Sequence, residues 1–167
     1  MNEYNDYVSE VRRFLKNYNT FKATVKSLTA DIEAQEELLR NADNLGAPIA
    51  KYDNMPKGGT GELNTVERQT EDRLRRQERI YKARLNRDEL QLKLDQVDRA
   101  MGALSYEEQE LLRGHYLEGK DWHSLGYENN YSERWAREKA GKALKTLALV
   151  ICGPKAFPKQ LSFVFGW

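Results

Sequence analysis

Apolar residues recur along the first quarter of the chain in steps of three and four. Tyr4, Tyr7, Val11, Phe14, Tyr18, Phe21, Val25, Leu28 and Ile32 share one phase, and Leu39 keeps it seven residues on. This heptad stripe predicts one long helix over about residues 3–43 with a coiled-coil-like seam, broken at one position by Gln35. Its aromatic residues read as helix-packing core rather than as a ligand box. The pattern stops at Ala42–Asn64, which holds four of the eleven glycines and two of the four prolines. Both residue types disfavour helix and strand, so a loop is expected near 44–62. The Gly58-Gly59-Thr60-Gly61 run lacks the Gly-Lys-Ser/Thr ending and the preceding strand of a phosphate-cradling loop. Helical spacing returns from about Leu63 to Gly102, with Asn64 or Thr65 as the cap and Glu67 close behind. Leu90, Leu94, Val97, Met101 and Leu104 keep a heptad phase, whereas Arg73 and Arg76 occupy in-phase positions earlier in the helix. Two long helices with one apolar stripe each predict an antiparallel hairpin. A homodimer through the same stripes is the other way to bury them.

From Leu104 the spacing shortens. Ser105 followed by Glu108 is a capping box. The helix behind it presents Leu111, Leu112 and Tyr116 and ends at Glu118-Gly119, where glycine permits a left-handed terminus. Asp121 caps a short helix with Trp122 and Leu125, and Gly126 leaves room for the next helix to cross closely. Asn129-Asn130 suits a tight turn. Ser132 then caps a helix running to about Cys152, before Gly153-Pro154. Ala136, Ala140, Ala143, Leu144 and Leu147 form its inner face. The expected fold class is therefore all-α: a long helical hairpin or coiled coil over 1–102, a helix-turn-helix over 103–152, and a tail over 153–167. That tail carries Phe157, Pro158, Leu161, Phe163, Val164, Phe165 and Trp167, and so many apolar residues are expected to dock.

Charge sharpens the picture locally rather than globally. Lysine and arginine number 27 against 26 aspartates and glutamates, so bulk charge announces no nucleic-acid partner. A mean hydropathy of −0.83 suits long amphipathic helices with solvated faces. From Arg68 to Asp88, eight basic residues stand against four acidic ones. That stretch reads first as a solvated, ion-paired face and second as a contact to phosphates or to an acidic protein surface. From Ser132 to Ala148, five basic residues stand against two acidic ones. The single cysteine, Cys152, excludes a disulfide framework and a cysteine zinc site within one chain, and it reads as inert packing buried near a helix end. His115 and His123 lack metal-ligand companions, and nothing resembles a nucleophile–base pair. Neither an enzyme nor a cofactor is expected. The opening residues lack a signal-peptide core, and no apolar run approaches the roughly 20 residues that span a bilayer, so a cytoplasmic location without membrane contact is expected.

The helix-turn-helix reading assigns roles along its last helix. Residues near the start of a recognition helix meet base edges, and later ones meet phosphates. Arg134 and Arg137 are the base-reading candidates, since a guanidinium matches the paired acceptors of guanine. Glu138 suits the cytosine amino group, Lys142 and Lys145 suit phosphates, and Ser132 both caps and touches the backbone. Trp135 and Trp122 read as packing residues, Trp122 as core.

Residues 104–148 resemble region four of bacterial sigma factors. The likeness rests on the leucine followed by acidic residues, the Leu111-Leu112-Arg113 helix, the Tyr116-Leu117-Glu118-Gly119 turn and Trp122 before the second helix. Tyr131-Ser132-Glu133-Arg134 and Gly141-Lys142-Ala143-Leu144 resemble more narrowly the sigma-like late transcription regulators of Gram-positive phages and prophages, the ArpU/RinA kind. The Tyr52–Gly58 linker and Glu67-Arg68 are similar to that group more weakly. The resemblance implies a transcription regulator on promoter double-stranded DNA, activating late genes with host RNA polymerase as partner. It puts the Ser132–Lys142 run, Glu133 and Gly141 included, at the DNA. A small terminase-like packaging subunit and a coiled-coil protein-interaction adaptor are the competing readings.

Overall fold

The computed structural model describes residues 3–44 and 61–156, and among these every regular element is helical. Helix α1 is Glu3–Lys16, α2 Tyr18–Asn44, α3 Gly61–Met101, α4 Tyr106–Leu112, α5 Trp122–Glu128 and α6 Glu133–Cys152. A π-helical turn, Arg113–Leu117, continues α4, and a 3-10 turn, Gly153–Ala156, follows α6. The all-α expectation holds.

The single helix expected over 3–43 is two helices, parted at Asn17. The Asn17 side chain donates to the Arg13 carbonyl at 2.9 Å, while its backbone N–H lies 3.0 Å from the Phe14 carbonyl. An amide side chain that takes the i−4 carbonyl competes with the helix ladder, and the i−3 bond tightens the last turn. The heptad phase carries no warning of this, because apolar spacing is continuous across a single polar residue. The loop boundaries also shift. Residues 42–44 complete α2, α3 starts at Gly61, and Asn64 and Thr65 lie inside α3 rather than capping it. The centre of the expected loop, residues 45–60, and the apolar segment 157–167 lie outside the described residues.

The chain divides into two units. One joins the chain up to Ala23 with the chain from Gln91 onward. Its centre is α6, which packs against α1, α4, α5 and the 3-10 turn. The predicted inner face of α6 is fully inward: Ala136, Ala140, Ala143, Leu144 and Leu147 are all buried. Three alanines let neighbouring helices approach, and Leu15, Leu111 and Leu112 fill the remaining space from α1 and α4. Each buried leucine of this kind contributes about 2 kcal/mol by leaving water. Helix α1 is also tied to the π-helical turn, since Arg12 donates to the Tyr116 hydroxyl. At the start of α2, the Asn19 side chain donates to the Leu117 carbonyl at 2.6 Å. At the end of α6, Gln96 donates to the Ile151 carbonyl at 3.0 Å. Cys152 is half-buried rather than buried.

The other unit is Thr24–Leu90, the later part of α2 with the earlier part of α3. Ile32 and Ile80 are buried there, and Arg84 Nε donates to Glu36 Oε1 at 3.1 Å. The basic residues of α3 are mostly exposed and largely paired: Arg75 with Glu71, Lys82 with Glu78, and Arg87 with Asp88. This is the solvated, ion-paired face, in which each pair contributes about 0–1 kcal/mol. Leu74, Tyr81 and Leu85 are exposed on the same helix.

In the first unit, the Tyr18 hydroxyl donates to Asp98 Oδ1 at 2.7 Å. Burial disfavours the phenolate, and the Asp98 hydrogen bond and charge add to this, so the Tyr18 pKa is pushed up to about 12. The folded protein therefore holds a proton that the unfolded chain releases near pH 10. This stability is intact below about pH 10 and is lost as pH climbs toward 12. Tyr18→Phe should cost about 1 kcal/mol at pH 7. It should also remove roughly 2 kcal/mol of the alkaline loss seen between those pH values, as read from urea midpoints across pH.

Candidate nucleic-acid interface

The segment from α4 to α6 is set by its turns. The capping box at Ser105 is present: Glu108 Oε2 accepts from the Ser105 N–H at 3.0 Å, and the Ser105 hydroxyl accepts from Glu108 N at 3.4 Å. The helix that sequence spacing extends to Gly119 widens into the π-helical turn, closed by Glu118 N donating to the Arg113 carbonyl at 3.0 Å. Gly119 at φ 73° then reverses the chain, and Lys120 N reaches the Gly114 carbonyl at 2.9 Å. His115 secures this reversal. Its Nδ1 lies 2.9 Å from the Lys120 carbonyl, so that nitrogen carries the proton. Its ring stacks on Trp122 at 3.8 Å, which leaves Trp122 half-buried on a turn rather than in the core. Lys120 bridges Glu118 and Glu128, and the Glu128 hydrogen bond chiefly raises its pKa.

Asp121 caps α5 by accepting from Ser124 N at 3.0 Å, and the hydrogen bonds from Ser124 hold its carboxyl below the ordinary range. At the other end, the Asn129 side chain donates to the Leu125 carbonyl at 2.9 Å, satisfying a terminal acceptor. Asn130 adopts φ 58°, the left-handed conformation expected of this turn. Tyr131 N then donates to the Gly126 carbonyl at 2.8 Å. A Cβ on Gly126 would stand 2.7 Å from the Tyr131 carbonyl oxygen, so only glycine lets the start of α6 approach α5 this closely.

Ser132 caps α6, its hydroxyl accepting from Trp135 N at 3.2 Å. With the alanine face turned inward, the opposite face carries the expected residues. Arg134, Arg137, Glu138, Lys142 and Lys145 are exposed, Glu133 and Gly141 are partly so, and the Arg134 side chain is 89% accessible. The surface beside Gly141 is open. Glu133, Arg134, Arg137 and Glu138 line one shallow depression. Both arginines are ion-paired within the helix, Arg137 with Glu133 at 2.5 Å and Arg134 with Glu138 at 3.0 Å. The i,i+4 spacing of opposite charges is the sequence signal for both pairings. Lys142 and Lys145 have no ion pair among the described residues.

A second cluster pins this helix from the side. The Trp135 ring packs on Tyr131 at 3.9 Å, and Lys139 Nζ lies 5.4 Å from the Trp135 ring centre and 3.4 Å from Glu107 Oε2. Glu107 also accepts from the Tyr131 hydroxyl; burial chiefly, and then this hydrogen bond, raises the Tyr131 pKa. Glu107 thereby joins α4 to the start of α6, a role that no local pattern announces. Among the described residues no group of His, Cys, Asp and Glu is placed to hold a metal ion, and His123 is exposed.

No family model, curated protein or solved structure matches this chain.

Gly126→Ala should destabilise the first unit by roughly 1–3 kcal/mol, because the opposing atoms are backbone and cannot rotate away. A lower urea midpoint with an unchanged m-value checks this.

Proposed function

We propose that this protein is a sequence-specific DNA-binding transcription regulator of phage or prophage type, in which α5 and α6 form a helix-turn-helix and α6 enters the major groove. The carrying observation is the outward face of α6. A Ser132-capped start presents Arg134 and Arg137, and Lys142 and Lys145 follow one to two turns later, exposed and without ion pairs. Base-reading arginines followed by phosphate-binding lysines suit a helix that enters the groove by its N-terminal end. The close approach at Gly126 and the left-handed Asn130 support the same reading, since both produce a sharp α5–α6 turn. The resemblance of residues 104–148 to sigma region four adds the promoter as target and host RNA polymerase as partner. The Glu36–Arg84 contact supports a hairpin of α2 with α3.

An adaptor that binds protein alone is the second reading. The exposed Leu74, Tyr81 and Leu85 of α3 favour it. Genome-wide occupancy of the tagged protein in its host separates the two, with Arg134→Ala/Arg137→Ala as control. One sharp peak upstream of a late operon, lost in that control, is expected. A peak inside a packaging gene supports a terminase-like subunit instead, and no peak supports the adaptor.

Arg137→Ala should weaken binding to the selected site by about 1–3 kcal/mol and weaken binding to random-sequence DNA clearly less. Equal loss on both removes it from base reading. Lys145→Ala should weaken all sequences alike and lower the salt slope by about one, as read from titrations across salt concentration.

A further inference from the structure

The two arginines best placed to read bases do not present free charge. Arg134 and Arg137 are each neutralised by a glutamate one turn away, and all four side chains share one shallow depression. The first two turns of α6 are therefore electrostatically balanced, and unpaired charge begins only at Lys142. Neither pair is shut away from water: the Glu138 side chain is 60% accessible and that of Glu133 41%. Exposed pairs of this kind exchange partners readily.

We propose that Glu133 and Glu138 act as a charge gate that suppresses binding to non-cognate DNA. This inference rests on the DNA-binding reading above. Against a random sequence, the guanidiniums meet only phosphates. There each carboxylate cancels the gain of its arginine and is itself repelled by the phosphate field. Non-cognate binding then draws on Lys142 and Lys145 alone in this helix. At the cognate site, a guanine edge offers two acceptors in the geometry of the guanidinium fork, and a cytosine amino group offers Glu138 a donor. The four charges are repartnered instead of cancelled. Glu133 and Glu138 thus contribute discrimination by penalising the wrong partner.

The test compares the full chain with Glu133→Gln/Glu138→Gln on a random-sequence duplex and on a site enriched from a random library by the wild-type chain. Glutamine keeps the volume and one accepting oxygen while it removes the charge and replaces the other oxygen with an NH2 donor. The single variant Glu138→Gln, which lies beyond the first turn, serves where the double variant fails to fold by circular dichroism. A second double variant, Glu71→Gln/Glu78→Gln on α3, makes the same change in net charge on a helix segment of the other unit.

On random duplex, Glu133→Gln/Glu138→Gln should bind about tenfold more tightly near 0.1 M salt, with a salt slope steeper by about two, because two more phosphates are engaged. Glu138→Gln alone should show about half that change in slope. Affinity for the enriched site should rise less than affinity for random duplex, because Glu138→Gln also weakens the charge-assisted contact to the cytosine amino group, so discrimination falls. An unchanged slope and affinity on random duplex, alongside a reduced slope in Lys145→Ala, would overturn the gate and leave the DNA-binding reading standing. Equal tightening by Glu71→Gln/Glu78→Gln would also overturn it, by tracing the effect to net charge. Absence of binding to either duplex at about 50 mM salt by wild type and variants alike would overturn the gate and the DNA-binding reading together.

Discussion

The seating of one helix by its small residues governs the first unit. Helix α6 turns Ala136, Ala140 and Ala143 inward at successive turns, with Leu144 and Leu147 extending the face. Residues this small fix the azimuth of a helix closely, because a rotation of one position would drive Arg137 or Lys142 into the core and bring a large burial cost. Everything on the outer face follows from that seating. The arginines, glutamates and lysines are displayed in a fixed order because the opposite side has no other way to pack. The turn residues serve the same end. Gly126 and Asn130 bring α5 against α6, and Glu107 reaches across from α4 to hold Tyr131 and Lys139.

Legibility in the sequence follows the range of each interaction. Between α4 and α6 the caps and turns were readable because their signals lie within a few residues: Ser105 with Glu108, Asp121, Asn130 and Ser132 all act on neighbours three or fewer positions away. The inner face of α6 was readable because burial repeats with the helical period. The interruption at Asn17 was not, since the competing hydrogen bond is made by one polar residue on the outer face and leaves the apolar phase intact. The widening of α4 into a π-helical turn was equally silent.

At the candidate interface, residue identities were legible and their partnerships were not. Arg134 and Arg137 stood out as cations at the start of a capped helix, yet their neutralisation by Glu138 and Glu133 changes what they offer a partner. Trp122 reads as core by composition, but its ring stacks on His115 at a chain reversal. The contacts of Glu107 with Lys139 and of Tyr18 with Asp98 join residues 32 and 80 positions apart, distances over which periodicity carries no information.

The docking of α1 on α6 has a consequence for the order of assembly. The apolar face formed by Val8, Val11 and Leu15 leaves the ribosome well before the helix that covers it, which lies more than a hundred residues further along the chain. At about 5–20 residues per second, the exposed stripe waits on the order of ten seconds for its partner. Closing so long a loop slows the encounter further, as non-local contacts do in general. During translation, the first helix is thus an open apolar surface before it is a structural element, and the nascent chain is most vulnerable to association through it in that interval.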